Sequence, residues 1–118
     1  MIKMGEMEKS VEDFQDAMKA LSRKNKKTMN YFQDFMKAVQ KPSLLDTKTK
    51  ELIALGTAIT ARCKYCIALH VKKLLEIGAT REEILEASTV SILMGGGPAL
   101  TYIAEVKKAL DEFEETLH

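Results

Sequence analysis

The sequence is poor in several residue types that often carry binding functions. Its 118 residues include no tryptophan and only two cysteines, two histidines and two prolines. Aromatic residues make up 6% of the chain, which leaves few rings on which nucleic-acid bases could stack. The 18 basic and 17 acidic residues nearly cancel, so no charge excess would attract nucleic acid or an anionic membrane. We therefore expect neither of them as a partner.

We also expect neither a membrane-spanning segment nor a leader sequence. No run reaches the roughly eighteen apolar residues that a membrane-spanning helix needs. Charges interrupt the N-terminal segment MIKMGEMEKSVEDF, where a signal peptide would be apolar. We therefore expect a cytoplasmic protein without a membrane partner. Thiols stay reduced in that compartment, so a cysteine pair there is more often catalytic, redox-sensing or metal-binding than structural.

What the sequence does contain is helical periodicity. Apolar residues recur at spacings of three and four over most of the chain, which predicts amphipathic helices. The series near the N-terminus is Met7, Val11, Phe14, Met18 and Leu21, and the series near the C-terminus is Ile103, Val106, Leu110, Phe113 and Leu117. A second helix should end before Pro42, which cannot continue it. Its apolar side consists of Phe32, Phe35, Met36 and Val39.

Capping residues indicate where the central helices begin and end. Asp46 or Thr47 is suited to start a third helix. The body of that helix, residues 51–61, is apolar nearly all round and should be buried on most sides. The helical stretch that follows should end at Gly78. Residues 80–83 (TREE) then form a capping box that opens another helix.

The glycine-rich stretch GGGP (95–98) should separate the last two helices. It follows Met94, and Pro98 suits the first turn of a new helix. No segment alternates convincingly with a period of two, so no strand is predicted. The expected fold is all-α, a compact bundle of about six helices, with residues 1–118 forming a single domain.

Both cysteines lie close to a histidine in the segment ARCKYCIALH (61–70). In a continuous helix, Cys63, Cys66 and His70 would face the same side. His70, one turn after Cys66, could then accept the thiol proton and create a nucleophilic thiolate. The other sulfur could convert a sulfenic acid or a mixed disulfide into a Cys63–Cys66 disulfide.

Two other interpretations fit the same residues. Their spacing is also that of a buried helical seam, and free cysteine is a common core residue. A metal site would use Cys63, Cys66 and His70, with Glu51 as a fourth ligand. Zinc sites generally combine a CxxC with a distant second pair of ligands, and the only other histidine is the terminal His118. A metal is therefore not expected.

The segment TKTKELIALGTAITARCKYCIALHVKKLLEIGATREEILEA (47–87) resembles the core of the carboxymuconolactone decarboxylase family. More narrowly, it resembles the alkyl hydroperoxidase D-like branch, whose pattern is Glu, eleven residues, Cys-x-x-Cys, three residues, His. Glu51, Cys63, Cys66 and His70 match all four positions. Residues 94–100 fit the family more loosely.

The resemblance implies a helical protein that forms trimers or hexamers and acts as a thiol-dependent peroxidase. In that scheme Cys66 attacks a small hydroperoxide, Cys63 resolves the product, and His70 with Glu51 relays protons. No metal, flavin or haem is needed. Electrons come from an external dithiol, such as a lipoyl domain or a thioredoxin-like protein. Considered alone, Glu51 could instead be a first-turn acid favoured by the helix dipole.

The chain departs from the branch in two respects. Tyr65 stands where characterised members carry a second histidine, and one motif-bearing unit replaces a duplicated arrangement. True decarboxylases of the family generally lack the cysteine pair, which argues against that activity. Two competing functions stay open: a redox sensor or accessory subunit, and a decarboxylase-like acid–base enzyme in which the cysteines are incidental.

Overall fold

The computed structural model describes residues 3–117 and contains five helices. They are α1 (Glu6–Lys24), α2 (Lys26–Gln40), α3 (Thr47–Thr60), α4 (Lys64–Glu76) and α5 (Arg81–Leu117). Gly96 has non-helical angles (φ 65°, ψ −146°) and divides α5 into two segments, which correspond to the last two predicted helices. Residues 3–117 form no strand. The predicted all-α fold is confirmed, and the helix number is close to the expected six.

The predicted helix boundaries rest on hydrogen bonds that the structure contains. The Asp46 side chain accepts the backbone N–H of Thr49 at 2.8 Å and caps α3. The capping box before α5 is reciprocal: the Glu83 side chain accepts the backbone N–H of Thr80 at 2.9 Å, and the Thr80 side chain accepts the backbone N–H of Glu83 at 3.1 Å. α2 ends at Gln40, before the proline. Local sequence signals therefore place these ends correctly.

The core lies where α3, α4 and α5 pack against one another and α1 covers α4 and α5. Its fully buried large side chains include Met7, Leu55, Ile59, Ile67, Val71, Leu74, Ile84, Val106 and Leu110. The start of α1 is fastened to α5 by Glu112, whose carboxylate accepts the backbone N–H groups of Met7 at 2.9 Å and Glu8 at 3.2 Å. A side chain from another helix thus satisfies N–H groups that the first turn leaves without partners.

Two helices are more exposed than their composition indicates. The prediction that α3 is buried on most sides is wrong, because its core neighbours α4 and α5 cover one face and Ile53 is 56% exposed. α2 carries no buried residue and contacts only α1 and α3 among the described helices. Its apolar stripe therefore does not serve the core of this chain.

No helix within residues 3–117 combines the length and the apolar character that crossing a bilayer requires.

Candidate active site

A tight turn between α3 and α4 places the first cysteine. The N–H of Cys63 donates to the carbonyl of Ala58, and the N–H of Arg62 donates to that of Ile59, both at 3.0 Å. This pair of bonds is a Schellman motif, with Arg62 at the position where the backbone is left-handed (φ 58°). The turn ends α3 and at once makes Cys63 the N-cap residue of α4.

Cys63 and Cys66 form a disulfide at the start of α4, with their Cα atoms 5.3 Å apart. The Sγ atom of Cys63 also accepts the backbone N–H of Cys66 at 3.2 Å. Both side chains are half-buried, and Cys66 packs against the core. The sequence left open whether the helix breaks before Cys63, and the structure shows that it does, because the turn at Arg62 leaves Cys63 outside the helical body. A helix N-terminus favours negative charge, so this position suits a thiolate.

Glu51 and His70 form the second pair of the site. The Nδ1 atom of His70 lies 2.6 Å from Oε2 of Glu51. The Glu51 side chain is only 5% exposed and that of His70 is 27% exposed. An ionised carboxylate only accepts hydrogen bonds, so Nδ1 is the protonated nitrogen in such a pair and Nε2 is left to exchange a proton. His70 lies four residues after Cys66 on α4, one helical turn away on the same face.

The position of Glu51 rules out the helix-dipole interpretation. Glu51 is the fifth residue of α3, whose first turn contains no acid, and the N-cap is Asp46. A buried carboxylate is costly unless it has a partner, and here the partner is the imidazole of His70. The four predicted residues are therefore brought together as two pairs, Cys63 with Cys66 and Glu51 with His70.

A cavity of about 190 Å³ opens beside the Glu51–His70 pair. Its walls are Phe35, Met36, Val39 and Gln40 from α2, Lys50, Glu51 and Ala54 from α3, and His70 from α4. Lys50 holds the end of α2 in place, since its Nζ donates to the carbonyls of Val39 at 2.8 Å and Lys41 at 2.7 Å. Neither these α2 residues nor Lys50 were predicted from the sequence to belong to the site.

An ionic cluster lies next to the start of α4. Lys64, the residue after Cys63, donates a hydrogen bond to Glu6, and Lys108 lies 3.2 Å from the other carboxylate oxygen of Glu6. Lys64 and Lys108 hold the pKa of Glu6 below its ordinary value, and Glu6 raises the pKa of Lys64. The charge of Lys64 is thus paired with α1 beside the disulfide.

One other possible site does not involve the cysteines. A larger apolar groove of about 500 Å³ runs between α3 and the first segment of α5, and none of the four predicted residues lines it.

Within residues 3–117, no group of three or more His, Cys, Asp or Glu side chains is arranged to hold a metal ion. His118, the other histidine considered as a ligand, lies outside the described residues.

The fold and the site together define a class: an all-helical protein with a CxxC disulfide at a helix N-terminus and a buried carboxylate–imidazole pair one turn further on. The chain belongs to the carboxymuconolactone decarboxylase family, whose sequence model matches residues 26–109. The match begins at α2 and ends within α5, so it includes every residue of the candidate site. The family resemblance of the sequence is thereby confirmed.

Related proteins are similar over most of the chain. A carboxymuconolactone decarboxylase family protein from Legionella pneumophila is 38% identical, with a TM-score of 0.84 over 92% of this chain and 95% of that one. A family member from Thermotoga maritima, whose description suggests a role in an antioxidative response, is 32% identical. Its TM-score is 0.71, over 75% of this chain and 92% of that chain. An uncharacterized protein from Cupriavidus necator is 37% identical over 80% of this chain and 81% of its own length.

Proposed function

We propose that this protein is a thiol-dependent oxidoreductase that reduces hydroperoxides through a Cys63–Cys66 disulfide cycle. The observation that carries the proposal is the Glu51–His70 pair, one helical turn from a cysteine pair at the N-terminus of α4. A proton-transfer pair beside an oxidisable dithiol is what peroxide reduction requires. The description of the Thermotoga relative in connection with an antioxidative response agrees with this function.

The first step oxidises Cys66. Its thiolate attacks one peroxide oxygen, an S–O bond forms and the O–O bond breaks. The sulfur becomes a sulfenic acid, and the leaving alkoxide takes a proton from His70. Glu51 is buried against Nδ1, so it orients the ring and stabilises its protonated form. We assign the attack to Cys66 because His70 follows it by one helical turn.

The second step forms the disulfide and the third restores the dithiol. The thiol of Cys63 loses its proton and attacks the sulfur of the sulfenic acid, an S–S bond forms and the S–O bond breaks. The leaving hydroxide takes up that proton and departs as water. An external dithiol then reduces the disulfide by exchange, supplying two electrons and two protons. The net reaction converts a hydroperoxide and a dithiol into an alcohol, water and a disulfide. A lipoyl group or a thioredoxin-like protein in the cytoplasm has the chemistry of this reductant.

Turnover of cumene hydroperoxide with dithiothreitol tests the proposal. Cys66→Ser should abolish turnover while the circular dichroism spectrum stays helical. Cys63→Ser is the matched variant, because it keeps the attacking sulfur and, without dithiothreitol, should still consume one equivalent of peroxide per chain. A Cys66→Ser protein that turns over at the wild-type rate would refute the mechanism.

The same assay distinguishes the competing functions. A redox sensor would be oxidised once per chain without turnover. A decarboxylase would act on a carboxylated lactone, and alkylation of its thiols would leave that activity unchanged. Either result would replace the peroxidase proposal.

We also propose that the chain works as a homo-oligomer, a trimer or a hexamer. Several large apolar side chains of α5 are exposed, with Val90 at 60%, Leu93 at 80% and Met94 at 76%. Monomeric proteins rarely expose contiguous apolar surface of this kind. Sedimentation equilibrium measures the subunit number directly, and a monomer at micromolar concentration would contradict this assignment.

A further inference from the structure

We propose that the cavity beneath α2 receives the apolar substituent of an organic hydroperoxide, and that its α2 wall determines which peroxides are reduced. The inference deepens the proposed function and rests on it. The cavity wall, meaning Phe35, Met36 and Val39, lines the same cavity as the Glu51–His70 pair. These α2 residues would be specificity-determining residues, separate from the four that carry the chemistry.

The size of the cavity suits a small organic hydroperoxide. A volume of about 190 Å³ corresponds to roughly six water molecules at about 30 Å³ each, more room than hydrogen peroxide fills. It is smaller than the roughly 300 Å³ at which drug-sized pockets begin. A hydroperoxide with a branched alkyl or small aryl group fits between these limits.

The lining combines apolar and polar groups. The three residues of the cavity wall and Ala54 contribute hydrocarbon and aromatic surface, and Gln40, Lys50, Glu51 and His70 contribute polar groups. Side chains on a helix lean toward its N-terminus, so the His70 ring leans toward the turn that carries Cys66. A hydroperoxide with its organic group in the cavity would thus direct its O–O bond toward His70 and Cys66.

The structure of α2 is consistent with this role. The helix buries no residue in the core, yet it keeps an apolar stripe in which Phe35 is 63% and Val39 is 52% exposed. Lys50, directly before Glu51, ties the last turn of α2 to α3 through two backbone carbonyls. Hydrogen bonds donated by an ammonium group are stronger than hydrogen bonds between neutral groups. The two bonds from Lys50 therefore hold the cavity wall beside the Glu51–His70 pair.

The test compares two peroxides in filled-cavity variants. We expect the wild-type protein to have a higher kcat/KM for cumene hydroperoxide than for hydrogen peroxide. Ala54→Leu fills the cavity from α3, and Val39→Phe fills it from α2. Each should lower kcat/KM for cumene hydroperoxide by at least about tenfold and leave that for hydrogen peroxide within about twofold. Tyr31→Ala, on an exposed part of α2 outside the cavity, is the control and should change neither value.

The possible results separate the two proposals. A wild-type protein that turns over neither peroxide would refute the proposed function, and the inference would fail with it. Turnover with an unchanged ratio of the two kcat/KM values in both filled variants would overturn the inference alone. An equal loss for both peroxides would also overturn it, because the substitutions would then have disturbed the acid–base pair. A change in oligomer size without a change in the ratio would assign the cavity to a subunit interface instead.

Discussion

Glu51 and His70 should be strongly coupled, both in the free energy of unfolding and in turnover. The perturbation we consider is a double-mutant cycle of Glu51→Gln and His70→Ala. The carboxylate is 5% exposed, and the only side-chain hydrogen bond described for it is with Nδ1 of His70 at 2.6 Å. Removing the ring therefore leaves a buried carboxylate unpaired, whereas removing the carboxylate charge leaves an amide of nearly the same shape.

The burial of the pair determines the size of each effect. Removing the partner of a buried charge costs about 3–5 kcal/mol, and because the His70 side chain is 27% exposed we expect a smaller loss, about 2–3 kcal/mol, for His70→Ala. Glu51→Gln alone should cost about 1–2 kcal/mol, the difference between a charge-assisted and a neutral hydrogen bond. In the His70→Ala variant, Glu51→Gln removes a buried charge that no longer has a partner. There it should leave the free energy of unfolding unchanged or raise it. The coupling energy is then about 2 kcal/mol.

Urea unfolding of the oxidised protein, followed by circular dichroism, measures the four corners of the cycle. Glu83→Gln is the matched control, because Glu83 pairs with Lys48 at a similar distance, 2.6 Å, but both side chains are about 40% exposed. The amide oxygen of glutamine can still accept the capping hydrogen bond from Thr80. A surface pair of that kind contributes at most about 1 kcal/mol. In turnover, each single variant should lose about 100-fold or more, and the double variant little beyond the worse single one.

Additive losses would refute this reasoning. The two single substitutions each change the free energy of unfolding. If these two changes add up to the change in the double variant within about 0.5 kcal/mol, the two side chains are not coupled. Multiplicative losses in kcat/KM would likewise show that Glu51 and His70 do not act as one relay.

Two further predictions concern the backbone of α5 and acid stability. Gly96→Ala should destabilise the protein by about 1–3 kcal/mol, because Gly96 has angles (φ 65°, ψ −146°) that other residues rarely adopt. Gly97→Ala, with open space at its Cβ position, should stay within about 0.5 kcal/mol of the wild type in the same urea titration. The hydrogen bond from Lys64 lowers the pKa of Glu6 below its ordinary value of 4.5. The pair therefore contributes its full stabilisation above pH 4.5, and this stabilisation is lost as the pH falls through the lowered pKa of the folded state. The urea midpoint should therefore drop between pH 6 and pH 3, and less so in Glu6→Gln; an identical drop in that variant would contradict this assignment.

Helix boundaries were predictable wherever a local residue type marks them. Gly78 shows this, because its left-handed backbone (φ 95°) ends α4 through a Schellman motif, with the N–H of Ala79 donating to the carbonyl of Leu74 at 2.9 Å. The same motif ends α3, but there the left-handed residue is Arg62. No glycine marks that turn, so the sequence could not show that Cys63 is an N-cap residue and not part of a helix.

Burial was predictable only in part, because it depends on which neighbours a helix finds. Apolar periodicity indicated an apolar side for both α1 and α2, yet the Met7 side chain is fully buried and that of Phe35 is 63% exposed. The difference comes from packing, since α1 lies against α4 and α5 whereas α2 reaches only α1 and α3. Periodicity shows that a face is apolar, and only the tertiary contacts show whether the protein's own core covers it.

By itself, the sequence determined the helical class, most helix ends and the four residues of the candidate site. Periodicity, capping and the four-residue pattern depend on residues that are close together in the sequence. Over such short separations, the geometry of the helix determines which side chains can lie next to each other. Only the tertiary structure decided that Glu51 is buried against His70, that Lys50 fastens α2 beside them, and that a cavity lies between these helices. Such contacts join residues that are many positions apart, and their geometry follows from the packing of whole helices against one another.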